Sequence, residues 1–237
     1  MLSFRNEDPP PYNDERSGPH TASSCESNSS MSGDTFNIIL LGVTGTGKSA
    51  SGNTILTAMN IWREPRQLFE SRPSFTTVTT KCQFKMMDSL FGRDVRVVDT
   101  PDFLNDEIND QAQVEECKKY CQSGHYVVLL VIQMGRFTEG EKGMLERLEK
   151  KLDCRIRKNT IVLLTHGEKA KDNVQSFINE RSHLRYIVNE CGNRCHVFKN
   201  NSKNPKQVME LFKKIPDYET MFPEFTEKQS STDCRVG

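Results

Sequence analysis

The segment from Gly42 to Ser49 constrains the fold of this chain more than any other, because it matches the pattern G-x-x-x-x-G-K-[S/T] at every fixed position. In that pattern, glycines let successive backbone N–H groups curve around a phosphate, and the helix that follows turns its positive N-terminal end toward the same charge. Lys48 is predicted to reach the β- and γ-phosphates of a nucleotide, and the Ser49 hydroxyl to bind a Mg²⁺ that bridges them. The residues predicted to line this loop are Gly42, Val43, Thr44, Gly45, Thr46, Gly47, Lys48 and Ser49.

The sequence on both sides of this loop agrees with the motif. Residues 35–41 form a short β-branched and aliphatic run, which is typical of a buried strand, and residues 50–56 continue as a predicted helix. A chance glycine-rich turn is the alternative interpretation, and it explains neither flank. The chain is therefore predicted to bind a nucleoside phosphate.

Composition indicates one folded domain of ordinary size. The 237 residues hold 32 Lys and Arg against 32 Asp and Glu, so no net charge attracts nucleic acid or an anionic membrane. No apolar run approaches the ~20 residues that span a bilayer, and residues 1–8 lack the apolar segment of a signal peptide. The eight cysteines are scattered rather than spaced as a disulfide framework. These features predict a cytoplasmic protein with reduced cysteines, no nucleic-acid partner and no transmembrane segment.

Two pairs of cysteines share one spacing and deserve comparison with metal sites. Cys117 and Cys121 form one pair, Cys191 and Cys195 form the other, and a histidine follows each pair. Zinc sites normally have a tighter spacing between the first two cysteines and a second pair of ligands farther along. We therefore predict that these cysteines pack as small apolar residues.

The chain divides into three parts by composition. Residues 1–33 are rich in Pro, Ser, Asn and Glu and are predicted to be disordered, residues 34–215 carry the apolar periodicity of a folded domain, and residues 216–237 form a polar tail. Strands alternate with helices after the phosphate loop, which predicts an α/β fold with a mostly parallel sheet flanked by helices. The predicted strands are 81–87, 94–98, 126–132, 160–164 and 196–199, and the predicted helices are 109–121, 139–152, 174–191 and 204–214.

A second candidate site lies where a later apolar strand ends in Asp99, which is followed by Thr-Pro-Asp. At the carboxyl edge of the sheet, Asp99 is predicted to hold Mg²⁺ through water, and the backbone N–H that follows to sense the γ-phosphate. The threonines among residues 76–80 offer a further hydroxyl for Mg²⁺, and Thr79 is the one that we select. A plain strand-to-turn junction and a β-rich edge segment are the alternatives.

A third candidate site follows the next-to-last predicted strand, where the sequence reads Thr-His-Gly-Glu. A carboxylate at this strand end accepts hydrogen bonds from the N1–H and 2-amino groups of guanine, whereas adenine offers neither donor and leaves the carboxylate unpaired. Glu168 is predicted to read the base, with Thr165 and His166 beside it. Asn200 or Asn201, after the last predicted strand, is predicted to brace the base. By itself, Thr-His-Gly-Glu is equally well explained as a turn.

In this order, the three motifs resemble those of the GTPases of immunity-associated proteins, which are relatives of septins and of the chloroplast import receptor GTPases. The most specific likeness is at residues 129–138, Leu-Leu-Val-Ile-Gln-Met-Gly-Arg-Phe-Thr, which are similar to the box that this family carries between its third and fourth nucleotide motifs. Residues 47–56, 69–71 and 78–82 also resemble the family. The likeness covers residues 35–214, essentially the whole predicted folded part.

The resemblance implies a three-layer P-loop NTPase G domain that binds GTP and GDP with Mg²⁺ and pairs through its nucleotide face as a homodimer or oligomer. It also implies a role in lymphocyte survival or immune defence. Residue by residue, it adds Ala50 and Ser71 to the nucleotide contacts and supports His166 and Glu168 at the base. The segment 57–68 is longer than the family pattern, and the chain ends without the coiled coil or hydrophobic tail of several members, so a soluble protein is expected.

Catalysis has the weakest support in the sequence. Small GTPases that hydrolyse GTP quickly place a Gln shortly after the Asp99 position to orient the attacking water, and this chain has Phe103 there. Slow hydrolysis is therefore expected, and no catalytic residue is assigned. Arg136 is a candidate for a contact across a dimer, although a solvated Arg is the simpler explanation. Three functions remain possible: a GTP-dependent assembly switch, a GTPase completed by its dimer partner, and a P-loop kinase or ATPase. The third is disfavoured, because the sequence has no Arg-rich segment that could form a kinase lid.

Overall fold

A six-stranded sheet flanked by helices forms the centre of the part of the chain that the computed structural model describes. The described residues are 35–59, 68–72, 78–87, 93–105, 111–122, 124–135, 141, 143–169, 174–202 and 204–222. The strands are β1 (Phe36–Leu41), β2 (Gln83–Met87), β3 (Val95–Asp99), β4 (Tyr126–Gln133), β5 (Thr160–Thr165) and β6 (Cys195–Val197). The helices are α1 (Lys48–Met59), α2 (Gln111–Gln122), α3 (Met144–Leu152), α4 (Val174–Asn179), α5 (Ser182–Glu190), α6 (Lys206–Phe212) and α7 (Tyr218–Met221), with short 3₁₀ helices at Arg157–Asn159 and Gly167–Lys169. The predicted α/β fold is confirmed.

The strand order places the loop after β1 at the point where the sheet changes direction. The order is β2-β3-β1-β4-β5-β6, with β2 antiparallel to β3 and every other neighbouring pair parallel. The chain thus extends from β1 toward β3 on one side and later toward β4 on the other. Ligands of open α/β sheets bind in the crevice where the strand order reverses, so the carboxyl end of β1 is the expected binding position.

The sheet is buried on both faces, which explains why its parallel strands read as unbroken apolar runs rather than as alternating ones. All six residues of β1 are buried. Ile39 and Leu41 pack into one core cluster with residues of α2, α3 and α5. Ile38 and Leu40 pack on the opposite face with residues of α1 and α6. Within the described ranges, no helix is both long enough and apolar enough to cross a bilayer.

The segment predicted as one helix over residues 174–191 forms two helices, α4 and α5, with a break at Arg181. The Arg181 backbone is extended, with φ −117° and ψ 96°. Its guanidinium carbon lies 3.8 Å from the centroid of the Phe177 ring, and the same group donates a hydrogen bond to the Phe177 carbonyl at 2.9 Å. This bond satisfies a carbonyl at the end of α4. The apolar period conceals the break because Ile178 and Leu184 are buried on either side of it.

The helix predicted over residues 139–152 begins later, as α3 at Met144, because Gly143 adopts a left-handed backbone with φ 65°. A residue with this backbone interrupts the helical pattern of dihedral angles. The other predicted strands and helices each overlap an observed element and differ from it by at most three residues at either end.

The folded part continues past residue 215, where the composition placed the start of a polar tail. Phe222, directly after α7, is 1% exposed. Its ring lies 5.0 Å from the Phe36 ring and 5.7 Å from the Phe212 ring, in edge-to-face contacts. The polar composition of α7 hid this anchor, because the helix itself buries no residue. Phe222 therefore packs in the core although it lies within the segment predicted as a polar tail, and the predicted disordered segment 1–33 lies outside the described residues.

We expect Phe222→Ala to lower the free energy of unfolding by about 3–5 kcal/mol, because the substitution removes a buried ring and leaves a cavity beside Phe36 and Phe212. Guanidinium denaturation followed by circular dichroism measures this loss. Phe84→Ala is the matched control. Because Phe84 is 48% exposed, removal of its ring loses less buried apolar surface and should destabilise the protein less. Equal losses in the two variants would contradict the placement of Phe222 in the core.

Candidate nucleotide-binding site

The phosphate loop joins β1 to α1, and its backbone requires glycine at two positions. Gly42 has φ 145°, and a Cβ added there would lie 2.5 Å from the carbonyl oxygen of Val131 in β4. Gly47 has φ 93°, a conformation that residues with side chains rarely adopt, directly before α1 begins at Lys48. The loop therefore has the tight backbone and the following helix that a phosphate cradle needs.

Lys48 is the cation of this loop. Its side chain is 7% exposed, and Nζ donates hydrogen bonds to the carbonyl oxygens of Gly42 at 2.8 Å and Val43 at 3.1 Å. Burial lowers the pKa of Lys48, while the carboxylates of Asp99 and Asp102 act in the opposite direction. A buried ammonium group of this kind gains strongly from an anionic ligand, because the ligand replaces the solvation that burial has removed.

The three side chains predicted to bind metal meet beside Lys48, although they come from three separate segments. Ser49 Oγ donates to Asp99 Oδ2 at 2.6 Å, Thr79 Oγ1 donates to the same oxygen at 3.1 Å, and the two hydroxyl oxygens lie 3.2 Å apart. Asp99 is 1% exposed at the end of β3. Burial raises the pKa of Asp99, against the opposing effects of the Ser49 hydrogen bond and the Lys48 charge. The other carboxylate oxygen, Asp99 Oδ1, is buried and has no hydrogen-bond partner among the described residues.

Asp102 contacts the phosphate loop directly, which the sequence analysis did not predict. Its Oδ2 accepts a hydrogen bond from the backbone N–H of Thr44 at 2.6 Å, and its Oδ1 accepts one from the backbone N–H of Leu104 at 2.9 Å. The side chain is 6% exposed. From the sequence, only the backbone of this turn was predicted to contact the nucleotide. The available signal was the acid itself, since aspartate side chains in turns commonly accept hydrogen bonds from backbone N–H groups.

Phe103, which stands where the sequence predicts the water-orienting Gln of faster GTPases to be missing, packs into the protein core. It is 4% exposed and belongs to the cluster that contains α3 side chains. Lys151 Nζ donates to the Phe103 carbonyl at 2.6 Å, and Arg147 donates to the Leu104 carbonyl at 2.6 Å. The loop after Asp99 is thus held on α3 through both a side chain and the backbone. Arg136, the candidate for a contact across a dimer, lies outside the described residues.

The predicted base-reading segment is tied to the phosphate loop by a buried hydrogen bond. Thr165 Oγ1, at the end of β5, donates to the carbonyl of Thr46 at 2.7 Å. His166 follows with a left-handed backbone at φ 58°, and its Nδ1 lies 3.3 Å from Thr165 Oγ1. Glu168 lies in the next 3₁₀ helix and is exposed. The structure therefore places this carboxylate on the surface, at the same end of the sheet as the phosphate loop.

Asn200 is bonded to α1, whereas its neighbour Asn201 is exposed. Asn200 Oδ1 accepts from the Thr54 hydroxyl at 2.9 Å, and its Nδ2 donates to the Ser51 hydroxyl at 3.2 Å. These two bonds fix the loop after β6 against the helix that follows the phosphate loop. Asn201 is exposed in the turn that follows. Of the two asparagines that the sequence could not distinguish, Asn200 therefore has a structural partner.

Ser71 reaches the same region because α1 holds the segment before it. Asn53 Oδ1 accepts from the Phe69 N–H at 2.8 Å, and Asn53 Nδ2 donates to the Phe69 carbonyl at 2.9 Å. A cleft of about 340 Å³ opens between this segment, α1 and the loop after β6. Four predicted nucleotide contacts line it, namely Ala50, Ser71, Asn200 and Asn201. Among the described residues, His166 and Glu168 do not line this cleft.

The cysteines that were compared with metal sites pack as apolar residues. Cys117 and Cys191 are 0% exposed and Cys121 is 4% exposed. Burial raises the pKa of the Cys191 thiol to about 12. The nearby His196 has Nε2 only 2.7 Å from the carbonyl of Gln207, and because a carbonyl only accepts hydrogen bonds, Nε2 carries the proton. This nitrogen is therefore a hydrogen-bond donor in the fold.

Comparison with known families agrees with this geometry. The profile of the AIG1 family matches residues 36–230, which is most of the chain and includes the phosphate loop, the Asp99 turn and the segment after β5. The chain belongs to the AIG1 family.

Relatives of this AIG1-family chain occur in animals and plants. The mouse protein GTPase IMAP family member 8 is 30% identical over 199 residues, which is 81% of this chain and 28% of the mouse protein. The human protein of the same description is 34% identical over 196 residues, covering 78% of this chain and 28% of its own length. Immune-associated nucleotide-binding protein 9 of Arabidopsis thaliana is 28% identical over 192 residues, or 75% of this chain and 52% of the plant protein. The chain thus spans between 28% and 52% of these relatives, and the predicted resemblance is confirmed.

Solved structures share the fold at low sequence identity. Toc33 from Arabidopsis thaliana in complex with Mg²⁺ and GMPPNP has a TM-score of 0.52 and 17% identity, covering 79% of this chain and 85% of Toc33. Era in complex with MgGDPNP and a segment of 16S ribosomal RNA has a TM-score of 0.53 and 16% identity, covering 77% of this chain and 57% of Era. At such identities the likeness concerns the G-domain fold alone.

We expect the protein to lose stability in acid through His196, because burial lowers the pKa of this imidazole to about 4 from its ordinary value of 6.5. The unfolded chain takes up the proton below pH 6.5, whereas the folded chain does so only near pH 4, so stability is present above pH 6.5 and is lost as the pH falls toward 4. Taken over the interval from pH 6.5 to about 4, the full effect amounts to about 3 kcal/mol.

Urea denaturation of the wild type and of His196→Gln between pH 7.5 and pH 4 measures this effect. The variant lacks the titrating group, so the difference in stability between the two proteins should move in favour of the variant as the pH falls. Two parallel pH profiles would refute the assignment to His196.

Proposed function

We propose that this domain binds GTP and GDP together with Mg²⁺ and acts as a nucleotide-dependent assembly switch. One observation carries the proposal: the oxygens of Ser49, Thr79 and Asp99 converge beside Lys48 at the start of α1. Lys48 and the helix N-terminus supply positive charge for the β- and γ-phosphates, and hydroxyl and carboxylate oxygens are the ligands that Mg²⁺ prefers. Membership of the AIG1 family, whose relatives are named GTPases and nucleotide-binding proteins, supports it.

The residues present fit a magnesium ion. Asp99 Oδ1 is buried without a hydrogen-bond partner among the described residues, and burial raises the pKa of this carboxyl. A cation nearby would offset the cost of the buried negative charge. We propose that the Ser49 and Thr79 hydroxyls hold Mg²⁺ and that Asp99 holds it through water. The ion would neutralise charge on the β- and γ-phosphates when a nucleotide is bound.

Guanine specificity is proposed to come from the carboxylate of Glu168. The hydrogen bond from Thr165 to the Thr46 carbonyl sets the start of this segment against the phosphate loop. Guanine presents N1–H and 2-amino donors to a carboxylate, whereas adenine presents neither. His166 and Asn201 are proposed to flank the base, because both lie at the carboxyl end of the sheet and neither is fully buried.

Slow hydrolysis is proposed because the position that would orient a water carries Phe103. A phenyl ring donates and accepts no hydrogen bond of the required kind, and this ring is buried in the core beside α3. In GTPases that use Gln, orientation of the attacking water by this side chain contributes much of the hydrolysis rate. The domain is therefore proposed to keep bound GTP long enough to act as a signal for assembly.

A homodimer is the proposed assembly, and a GTPase completed by its dimer partner is the second candidate function. For the chloroplast translocon components atToc33 and psToc159, dimerization is important for the GTPase activity. Their structure shares the fold of this chain, with a TM-score of 0.54. In this second candidate, the partner would supply the group that Phe103 cannot.

We expect Lys48→Ala to weaken binding of both Mg²⁺–GDP and Mg²⁺–ADP by at least about 100-fold, because it removes a buried charge that faces the phosphates. We expect Glu168→Ala to lower the preference for GDP over ADP by at least about tenfold, because only the base contact is lost. Isothermal titration calorimetry measures the six affinities of the wild type and the two variants for the two nucleotides.

Two exposed residues provide matched controls for these variants. Lys158→Ala removes an exposed lysine, and Glu210→Ala removes an exposed carboxylate on α6. Both controls should bind like the wild type. Binding of Mg²⁺–GDP by Lys48→Ala as tight as in the wild type would count against the phosphate-loop assignment, and an unchanged preference for GDP over ADP in Glu168→Ala would count against the base assignment.

We expect the wild type to be monomeric with GDP and dimeric with GMPPNP, while GTP is hydrolysed at or below about 10⁻³ s⁻¹. Multi-angle light scattering on the GDP and GMPPNP complexes measures the first property, and phosphate release from GTP by the same protein preparation measures the second. A hydrolysis rate per protomer that rises with protein concentration would favour the second candidate. A constant monomer with fast phosphate release would refute the assembly switch.

A further inference from the structure

The carboxylate of Asp102 occupies part of the phosphate loop in this structure. Its Oδ2 accepts from the Thr44 N–H at 2.6 Å, and Thr44 lies among the loop residues whose N–H groups cradle phosphates in this motif. Its Oδ1 accepts from the Leu104 N–H at 2.9 Å, so both oxygens are engaged. The side chain is 6% exposed, which places it within the site rather than in the solvent above it.

This carboxylate lies near the part of the loop that serves the outer phosphates. Burial lowers the pKa of Lys48, and the charges of Asp99 and Asp102 partly oppose this shift, so the Asp102 carboxylate lies within electrostatic reach of Nζ. Lys48 is the residue of the motif that reaches the β- and γ-phosphates. Asp102 therefore competes with the terminal phosphate of a nucleotide for the same cation and for a loop N–H group.

We infer that Asp102 makes this site prefer a nucleoside diphosphate to a triphosphate. The inference rests on the proposed function and concerns the same site. A γ-phosphate brings further negative charge toward the place that the carboxylate holds, and like charges close together in a buried site repel strongly. A diphosphate has no γ-phosphate to approach the Asp102 carboxylate, so the hydrogen bond from the Thr44 N–H to Asp102 is kept when a diphosphate binds. A triphosphate binds fully only after the Asp102 side chain has left the Thr44 N–H.

The loop around Asp102 limits how the carboxylate can leave. The Phe103 ring is buried in the core and its carbonyl accepts from Lys151 at 2.6 Å, while the Leu104 carbonyl accepts from Arg147 at 2.6 Å. Since the backbone is held on α3, rotation of the Asp102 side chain is the smallest movement that clears the Thr44 N–H. This rotation also releases the Leu104 N–H, so the bound phosphate and the Leu104 backbone are coupled.

The test compares dissociation constants for GDP and GMPPNP, measured by calorimetry with Mg²⁺, in the wild type, Asp102→Asn and Asp102→Ala. We expect the affinity ratio of GMPPNP to GDP to rise at least about tenfold in both variants, because the competing charge is gone. Asp94→Asn is the matched control, since Asp94 is exposed and precedes β3 at the opposite edge of the sheet from Asp99. The ratio in this control should equal that of the wild type.

An unchanged ratio in both Asp102 variants overturns the inference, including the case in which both affinities fall together, because that result describes a structural role. A wild type that binds neither nucleotide instead refutes the proposed function, so the two failures are distinguishable. The Leu104 amide of the wild type provides a measurement that needs no variant. Its NMR signal should be shifted downfield by the hydrogen bond to Asp102 Oδ1 with GDP and should lose that shift with GMPPNP, and the same downfield signal with both nucleotides overturns the inference.

Discussion

The parallel pairing of β1 with β3 on one side and β4 on the other is the constraint on which the rest of the structure depends. This pairing sets Leu40 opposite both Asp99 and Leu129. Because the carboxyl ends of parallel strands meet at one edge of a sheet, the loops that leave them are brought together whatever their separation in sequence. The burial of every β1 residue on both faces holds this arrangement, since any displacement of the strand would expose apolar side chains.

The site contains buried charges, and their burial costs free energy. Burial disfavours the charged form of Lys48 and of Asp99, as the opposite shifts in their pKa values indicate. An anion beside Lys48 and a cation beside Asp99 would each remove part of this cost, so ligand binding and stability are linked.

The polar groups around these charges are also fixed in advance. Bonds from Thr165 to the Thr46 carbonyl and from Thr54 to Asn200 join the segments of the site to one another. Asp102 differs from these fixed contacts, because its bond to Thr44 stands where a ligand group would bind.

Much of the fold and part of the site could be predicted from the sequence because the relevant signals are local. The spacing of Gly42, Gly47 and Lys48 defines a phosphate loop within eight residues, and unbroken apolar runs identify strands that are buried on both faces. The convergence of Ser49, Thr79 and Asp99 was also expected, since each lies next to a recognisable motif. The split between α4 and α5 was missed because it depends on a contact between Arg181 and the end of α4, which leaves the apolar period unchanged.

The sequence by itself determined the chemistry that this protein has available: a phosphate loop, an acid after a buried strand and a polar segment for which base recognition is proposed. Only the tertiary structure decided which of these side chains contact one another. Asp102 meets Thr44 across 58 positions of the chain, and Thr54 meets Asn200 across 146. Phe222 joins the core because Phe36 and Phe212 form the surface that covers its ring. In each case sheet order and helix packing bring the two partners together, so the sequence pattern does not predict which residues contact each other.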